Sequence, residues 1–284
     1  MMRGNTCVVH VVRNQNGLIP FVAFLDSYRR LDAGLGHDLL IVYKGFGDGK
    51  LPEAYRRQLS DLAYHSLCVE DIGKDIRPYF VAAKEFDYEY FCFFNSFCVI
   101  LGDGWLGKMY QHVRRDGIGV VGATGSYESI SARVSGPIPQ EKRRGLSKVM
   151  PKLIRHLHFA FDRRGFPPFP NPHLRLTGFM ISRRLMLALK TKTLRRMKNL
   201  YLLESGKRSM TRQLLAMNLR ALVVGRNGEA YEADQWPQSR TFRSGQQENV
   251  LIADNQTRAY AEADPQTKAT LAWNAWGNAA RESE

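Results

Sequence analysis

Cysteine is scarce in this chain of 284 residues: Cys7, Cys68, Cys92 and Cys98 are the four, and no pair has CxxC spacing. That argues against a thiol metal knuckle or a disulfide framework. Each lies in or beside an apolar run, so the expectation is free, buried thiols in a reducing compartment. Long hydrophobic runs are also missing. The longest, residues 90–101 and 179–189, fall short of the roughly 20 apolar residues a bilayer-crossing helix needs. The N-terminal MMRGNTCVVHVVRNQ carries His and Arg inside its short apolar run, a poor secretory signal, and the expected location is cytoplasmic. No Walker loop appears, no GxGxxG follows the first apolar run, and HExxH, GxSxG and Cys/His clusters are absent. A P-loop cradle, an NAD-type phosphate loop, a zinc protease and a serine elbow therefore lack their sequence marks.

Acidic residues are nearly missing from one region. Residues 141–212 hold 19 Lys and Arg against Glu141, Asp162 and Glu204, a surplus of 16, which leaves the remainder at −2 of the net +14. Charge gathered in one region points to a local partner surface. A nucleic-acid surface is disfavoured, because no RRM, KH or helix-turn-helix pattern is present and the local aromatics cluster with prolines. Docking on an anionic leaflet fits better, at the inner face of a membrane, since each basic residue near such a surface adds about 1 kcal/mol. A solvated basic face is the bland alternative.

What is present is a packed-core composition, with 44% hydrophobic and 11% aromatic residues. Apolar runs at 7–12, 37–43, 67–69, 90–94, 118–123, 177–182 and 221–224 read as strands. Helical spacing covers 18–31, 52–64, 76–84, the segment from Trp105, 150–163, 183–192 and 207–218. This alternation predicts an α/β fold with a mainly parallel sheet flanked by helices, Rossmann-like in its N-terminal half. Ligands of open α/β sheets bind beyond the carboxyl ends of the strands. Here the strands end in polar or glycine-containing residues: 14–17, 44–45, 70–71, Asn95–Ser96 and 124–126.

Three segments carry a resemblance. They are Phe94-Asn95-Ser96-Phe97, Gly104-Trp105-Leu106 and Gly119-Val-Val-Gly122, preceded by Val11-Val12-Arg13-Asn14 and followed by the 201–224 stretch. In order and spacing, residues 5–228 resemble a GT-A-type glycosyltransferase, most similar to the family-2 group. The resemblance implies a GT-A-like fold and transfer of a sugar from a nucleotide-diphosphate sugar to a glycan or lipid-linked acceptor, of the cell-surface polysaccharide or lipopolysaccharide kind. It implies a donor pocket at Arg13, Asn14, Asn16, Asp71, Asn95 and Ser96. It also implies a catalytic base before the last helix, where Glu204 stands as the only acid between Asp162 and Glu229. Ser126, His173 and Arg175 are candidate acceptor-side groups. The expected organisation is a glycosyltransferase domain over 1–228, divided near 130 into nucleotide-binding and acceptor halves, with 229–284 as a C-terminal extension packed on it.

The family tip normally carries an Asp that binds Mn2+ or Mg2+, which prefer anionic oxygen ligands. Asn95-Ser96-Phe97 has no carboxylate. Three outcomes stay open: a metal held with help from Asp71 or Asp103, basic side chains in its place, or a degenerate, non-catalytic module that binds nucleotide or an anionic surface. The candidates have bland readings too. Asn14 and Asn16 could simply turn the chain, Asp71 could cap a helix, Glu204 could favour the start of the next helix, and Trp105 reads as core.

Overall fold

The computed structural model describes residues 5–47, 49–73, 75–131 and 164–280. The chain runs β1 (Thr6–Arg13), α1 (Ile19–Arg30), β2 (Asp38–Lys44), α2 (Glu53–Arg57), β3 (His65–Val69), α3 (Ile76–Glu85), β4 (Tyr90–Phe94), β5 (Val99–Ile100), α4 (Trp105–Val113) and β6 (Ile118–Gly122). After β7 (Gly125–Ser126) come β8 (His173–Leu174), β9 (Gly178–Ser182), α5 (Arg183–Ala188), α6 (Met197–Ser205), α7 (Met210–Leu215) and β10 (Arg220–Val224). The C-terminal part adds β11 (Ala230–Tyr231), β12 (Ile252–Ala253), α8 (Asn255–Ala261) and α9 (Pro265–Trp276).

The central sheet has eight strands in the order β11-β10-β6-β9-β4-β1-β2-β3. Strands β1, β2, β3, β4, β6 and β10 share one direction, while β9 and β11 run against it. This is the mainly parallel α/β sheet the sequence predicts. One consequence governs the site: the six parallel strands exit at the edge where the antiparallel β9 enters.

Side chains alternate across the sheet with period two. Cys7, Val9 and Val11 face one core with Phe91, Phe93 and Phe179; Val8, Leu39 and Ile41 face the other with Phe24, Phe94 and Trp105. Burying each such side chain fully contributes about 1.5–3 kcal/mol, so both faces must be covered. His10 lies on the second face, fully buried and stacked on Phe24 with ring centroids 3.7 Å apart. Residues beyond 229 enter the first core through Trp236 and Trp276. Gly125 makes room for one of them: a Cβ there would meet the Trp236 ring at 2.6 Å.

Several expected boundaries differ. The helix expected over 52–64 is helical only at Glu53–Arg57. Tyr55 and Leu59 alone bury there, and a short apolar face supports little helix. The helix expected over 207–218 begins only where Ser209 accepts the Arg212 amide, and it ends at Leu215. Glu204 instead belongs to the last turn of α6, a helix the sequence pattern did not separate. The segment 183–192 is helical only through Ala188. Cys7, Cys92 and Cys98 are buried, but Cys68 is exposed, because β3 is an edge strand with an open face. The helix expected at 150–163, and the basic residues 141–163, lie outside the described residues.

Candidate functional site

The exits of β1, β2 and β3 build one half of the sheet's carboxyl edge. Arg13 and Lys44 end neighbouring strands in register. Asp71 follows β3 and takes both: Arg13 holds it bidentately at 2.8 and 3.0 Å, and Lys44 Nζ approaches at 3.4 Å. The Arg13 hydrogen bond holds the Asp71 carboxyl below its ordinary range. Burial lowers the Lys44 pKa, with the fields of Asp75 and Asp71 opposing it. Gly45 allows the close approach: its φ is +76°, and a Cβ would lie 2.9 Å from the Asp71 Cβ. Asn14 Nδ2 donates to the Gly45 carbonyl at 3.1 Å, and the Gly17 amide donates to the Asn14 carbonyl to close the turn after β1 that contains Asn16. Asp71 is therefore an ion-pair partner rather than a helix cap.

The β4 exit lies beside this group. Asn95 folds inward, its Oδ1 accepting the Phe97 amide at 2.9 Å and the Cys98 thiol at 3.2 Å. Ser96 donates its amide and hydroxyl to Asp75 at 3.2–3.3 Å. Asp75 sits at the N-cap of α3 yet does not cap it. Its carboxyl is pushed upward by burial, against the Ser96 bonds and the Lys44 charge. The sequence reading missed Asp75; an acid at a helix start just after a strand exit was the available signal.

The other half of the edge is a polar cleft of about 300 Å³. It is lined by His173, Arg175, Glu204, Glu128, Arg243 and Gln256 among others. β8 and the turn into β9 carry His173 and Arg175, while α6 supplies Glu204. The Glu204 carboxylate accepts the Leu176 amide at 3.3 Å. His173 Nδ1 bonds the Asn171 carbonyl at 2.8 Å, and burial lowers its pKa. Arg175 donates to Asp254 at 2.7 Å and lies 4.2 Å over the Phe242 ring. Burial opposes both charges of this pair, but their attraction prevails, leaving Asp254 below its ordinary range and Arg175 above. Arg243, 4.8 Å over the same ring, pairs with Glu128 at 2.8 Å and with Gln256 at 2.9 Å.

The two halves meet. The Asn95 amide donates to Thr177 O at 3.0 Å, one residue from the amide held by Glu204. Tyr79 is pushed well upward in pKa by burial and then by Asp75, Cys98 and Glu204. Its hydroxyl is fully buried with no hydrogen-bond partner among the described residues. Arg258 of α8 donates to Phe97 O at 3.1 Å, so the C-terminal segment touches the β4 tip as well. The structure thus brings Arg13, Asn14, Asp71, Asn95, Ser96, His173, Arg175 and Glu204 to one sheet edge. Ser126 is near but is not among the residues that line the cleft. It is buried opposite His173 in the β7–β8 pair, its Oγ accepting the Glu128 amide. Asp254, Phe242, Arg243 and Gln256 escaped the sequence reading, because only tertiary packing carries them here.

The donor set does not fit a divalent cation. Both Asp71 oxygens are taken by Arg13 and Lys44, Asn95 Oδ1 by Phe97 and Cys98, and Asp75 by Ser96. Asp103 lies elsewhere, accepting the Asp32 amide in the connection that enters β2. Among the described residues no group of three or more His, Cys, Asp or Glu is arranged to hold a metal.

No family model and no curated protein matches this chain. Among solved structures it is similar to the mannosyltransferase PcManGT from Pyrobaculum calidifontis, a complex with GDP-Man and Mn2+. The identity is 14% and the TM-score 0.46, over 100% of this chain and 74% of that one. It is also similar to S. aureus TarS, at 16% identity and TM-score 0.40 over 69% of this chain, which spans only 32% of TarS. Against TarS 1–349 the identity is 13% and the TM-score 0.41, over 72% of this chain and 56% of that one.

Proposed function

We propose that this protein is a glycosyltransferase that moves a sugar from a nucleotide-diphosphate sugar to a glycan or lipid-linked acceptor. The observation that carries the reading is the position of Glu204: its carboxylate lines a polar cleft at the same sheet edge as the β1–β4 exits, held by the Leu176 amide. The donor occupies the side of Arg13, Asn14, Asn16, Asp71, Asn95 and Ser96. The acceptor enters the cleft past His173 and Arg175. The acceptor hydroxyl oxygen bonds to the anomeric carbon, and the bond from that carbon to the diphosphate oxygen breaks. The proton passes to Glu204, and the nucleoside diphosphate leaves with the bonding pair. Fixed cations at the strand exits face the developing diphosphate charge. No step runs through a metal, because the tip's oxygens are engaged. A lipid-linked acceptor of the cell-surface polysaccharide or lipopolysaccharide kind puts the working protein at an anionic membrane face. No helix among the described residues is long and apolar enough to cross a membrane.

A second reading draws on the same engaged oxygens: a module that binds nucleotide without turnover. One experiment separates the two. The protein is incubated with UDP-, GDP- and dTDP-sugars, with manganese or with EDTA, and nucleotide release is followed. The transferase reading expects slow release, insensitive to EDTA and reduced about 100-fold or more in Glu204→Gln. Binding with no release in any condition leaves the module.

A further inference from the structure

Behind the Glu204 cleft, across α6, lies a second cavity of about 290 Å³. Its lining includes Lys190, Lys192, Lys207 and Arg208 over Leu202 and Leu203. Among the described residues no carboxylate lines it. None of its four cations forms an ion pair among the described residues. Hydrogen bonds anchor the backbone of three of them. Gln213 ties together the backbone of Lys190 and Arg208, its Oε1 accepting the Lys190 amide and its Nε2 donating to both carbonyls. The Lys207 amide donates to Gly165 O at 2.9 Å. Four like charges around one hollow repel one another, so the arrangement favours an anion. Leu203 is buried beneath them and Leu202 is half-buried, so the floor is apolar. Leu187 and Met197, close in the chain to Lys190 and Asn199 of the lining, stand exposed among basic residues. Cations at the mouth, an apolar floor and exposed apolar neighbours match a phosphate that carries a hydrocarbon tail, and a polyanion of uniform polarity would leave that apolar area uncovered.

We propose that this cavity binds the phosphate headgroup of an acidic membrane lipid, with the lipid's first methylenes against Leu202 and Leu203. Tyr201, Glu204 and Ser205 line the polar cleft while Asn199, Leu202 and Leu203 line this cavity. One helix thickness, about 10 Å, therefore separates a membrane anchor from the candidate base. Lipid capture stands on the cavity alone; its role in presenting a lipid-linked acceptor rests on the transferase reading.

The test uses the whole chain with phosphatidylcholine vesicles, with and without phosphatidic acid, and with soluble short-chain phosphatidic acid. Saturable binding of the short-chain lipid, and vesicle binding that needs the acidic lipid, are expected. The double variant Lys192→Gln/Arg208→Gln should weaken vesicle binding roughly 25-fold, about fivefold per cation removed. The control pair Arg184→Gln/Arg196→Gln, exposed basic residues outside the cavity, should weaken it far less. An equal loss in both pairs would show a diffuse basic face and overturn the proposal. So would inorganic phosphate binding as tightly as the short-chain lipid. Lipid binding that persists in Glu204→Gln, without nucleotide release in the parent protein, would keep this inference and remove the transferase reading; the converse result would do the opposite.

Discussion

On the β1–β3 side of the edge, the Arg13–Asp71 pair is half in water, its side chains 27% and 35% exposed. In the cleft, the Arg175–Asp254 pair is 9% and 2% exposed. The chemistry is the same, yet the consequences differ. A half-exposed pair is screened and contributes little to stability, so its members are available to a ligand. A buried pair is locked, because losing one partner strands the other charge in a medium that cannot solvate it. The β1–β3 side of the edge is therefore adjustable and the cleft rigid. His10 adds a third case. It is fully buried on β1 with neither ring nitrogen hydrogen-bonded among the described residues, and it stays neutral, its pKa lowered to about 3 by burial.

The contrast can be broken by removing one partner at a time. Asp254→Ala should cost the most, about 3–5 kcal/mol of unfolding free energy in urea melts, because Arg175 is left buried and unpaired. Part of that loss is the α8 cap, since Asp254 also accepts the Gln256 and Thr257 amides. The double variant Arg175→Met/Asp254→Leu should recover stability beyond the single variant. A single variant as stable as the parent would refute the locked-pair description.

His10→Leu should matter less, and only in acid. The folded pKa of His10 lies below its ordinary value of 6.5, so the unfolded chain takes up the proton first. Its contribution is complete above pH 6.5 and is lost as pH falls toward 3. At pH 5 the native protein should already have lost about 2 kcal/mol through this residue. His10→Leu should flatten the stability profile between pH 7 and 5 in thermal melts. His173 acts in the same direction, so some slope remains.

Asp71→Asn should have the smallest effect on folding, about 1 kcal/mol, because its Arg13 partner is partly solvated and the fully buried Lys44 keeps the charge of Asp75 beside it. Its mark should appear in donor affinity. Isothermal titration with nucleotide diphosphates should show a change while the melting temperature barely moves. A large stability loss with unchanged nucleotide affinity would remove Asp71 from the proposed donor side.

The strands were legible because their signal is local: apolar runs such as 118–123 and 221–224 bury on both faces wherever they pair. Strand exits were legible for the same reason, since a parallel strand that stops at Arg13 or Asn95 must open on one edge. Helix limits were not, because 52–64 and 207–218 carry helical spacing whose length only packing decides. The exposure of Cys68 and the burial of Ser126 likewise depend on which strand is at the edge and which strand pairs over it.

By itself the sequence determined the α/β alternation, the polar strand exits and the isolation of Glu204 in a basic stretch, all set by the order of residues along the chain. Only the tertiary structure decided that Glu204 meets His173 and Arg175 in one cleft, that Asp75 holds Ser96, and that Asp254 and Arg243 arrive from beyond residue 229. The reason is physical. A buried charge must find its opposite in space, and nothing in local spacing says which distant segment will deliver it.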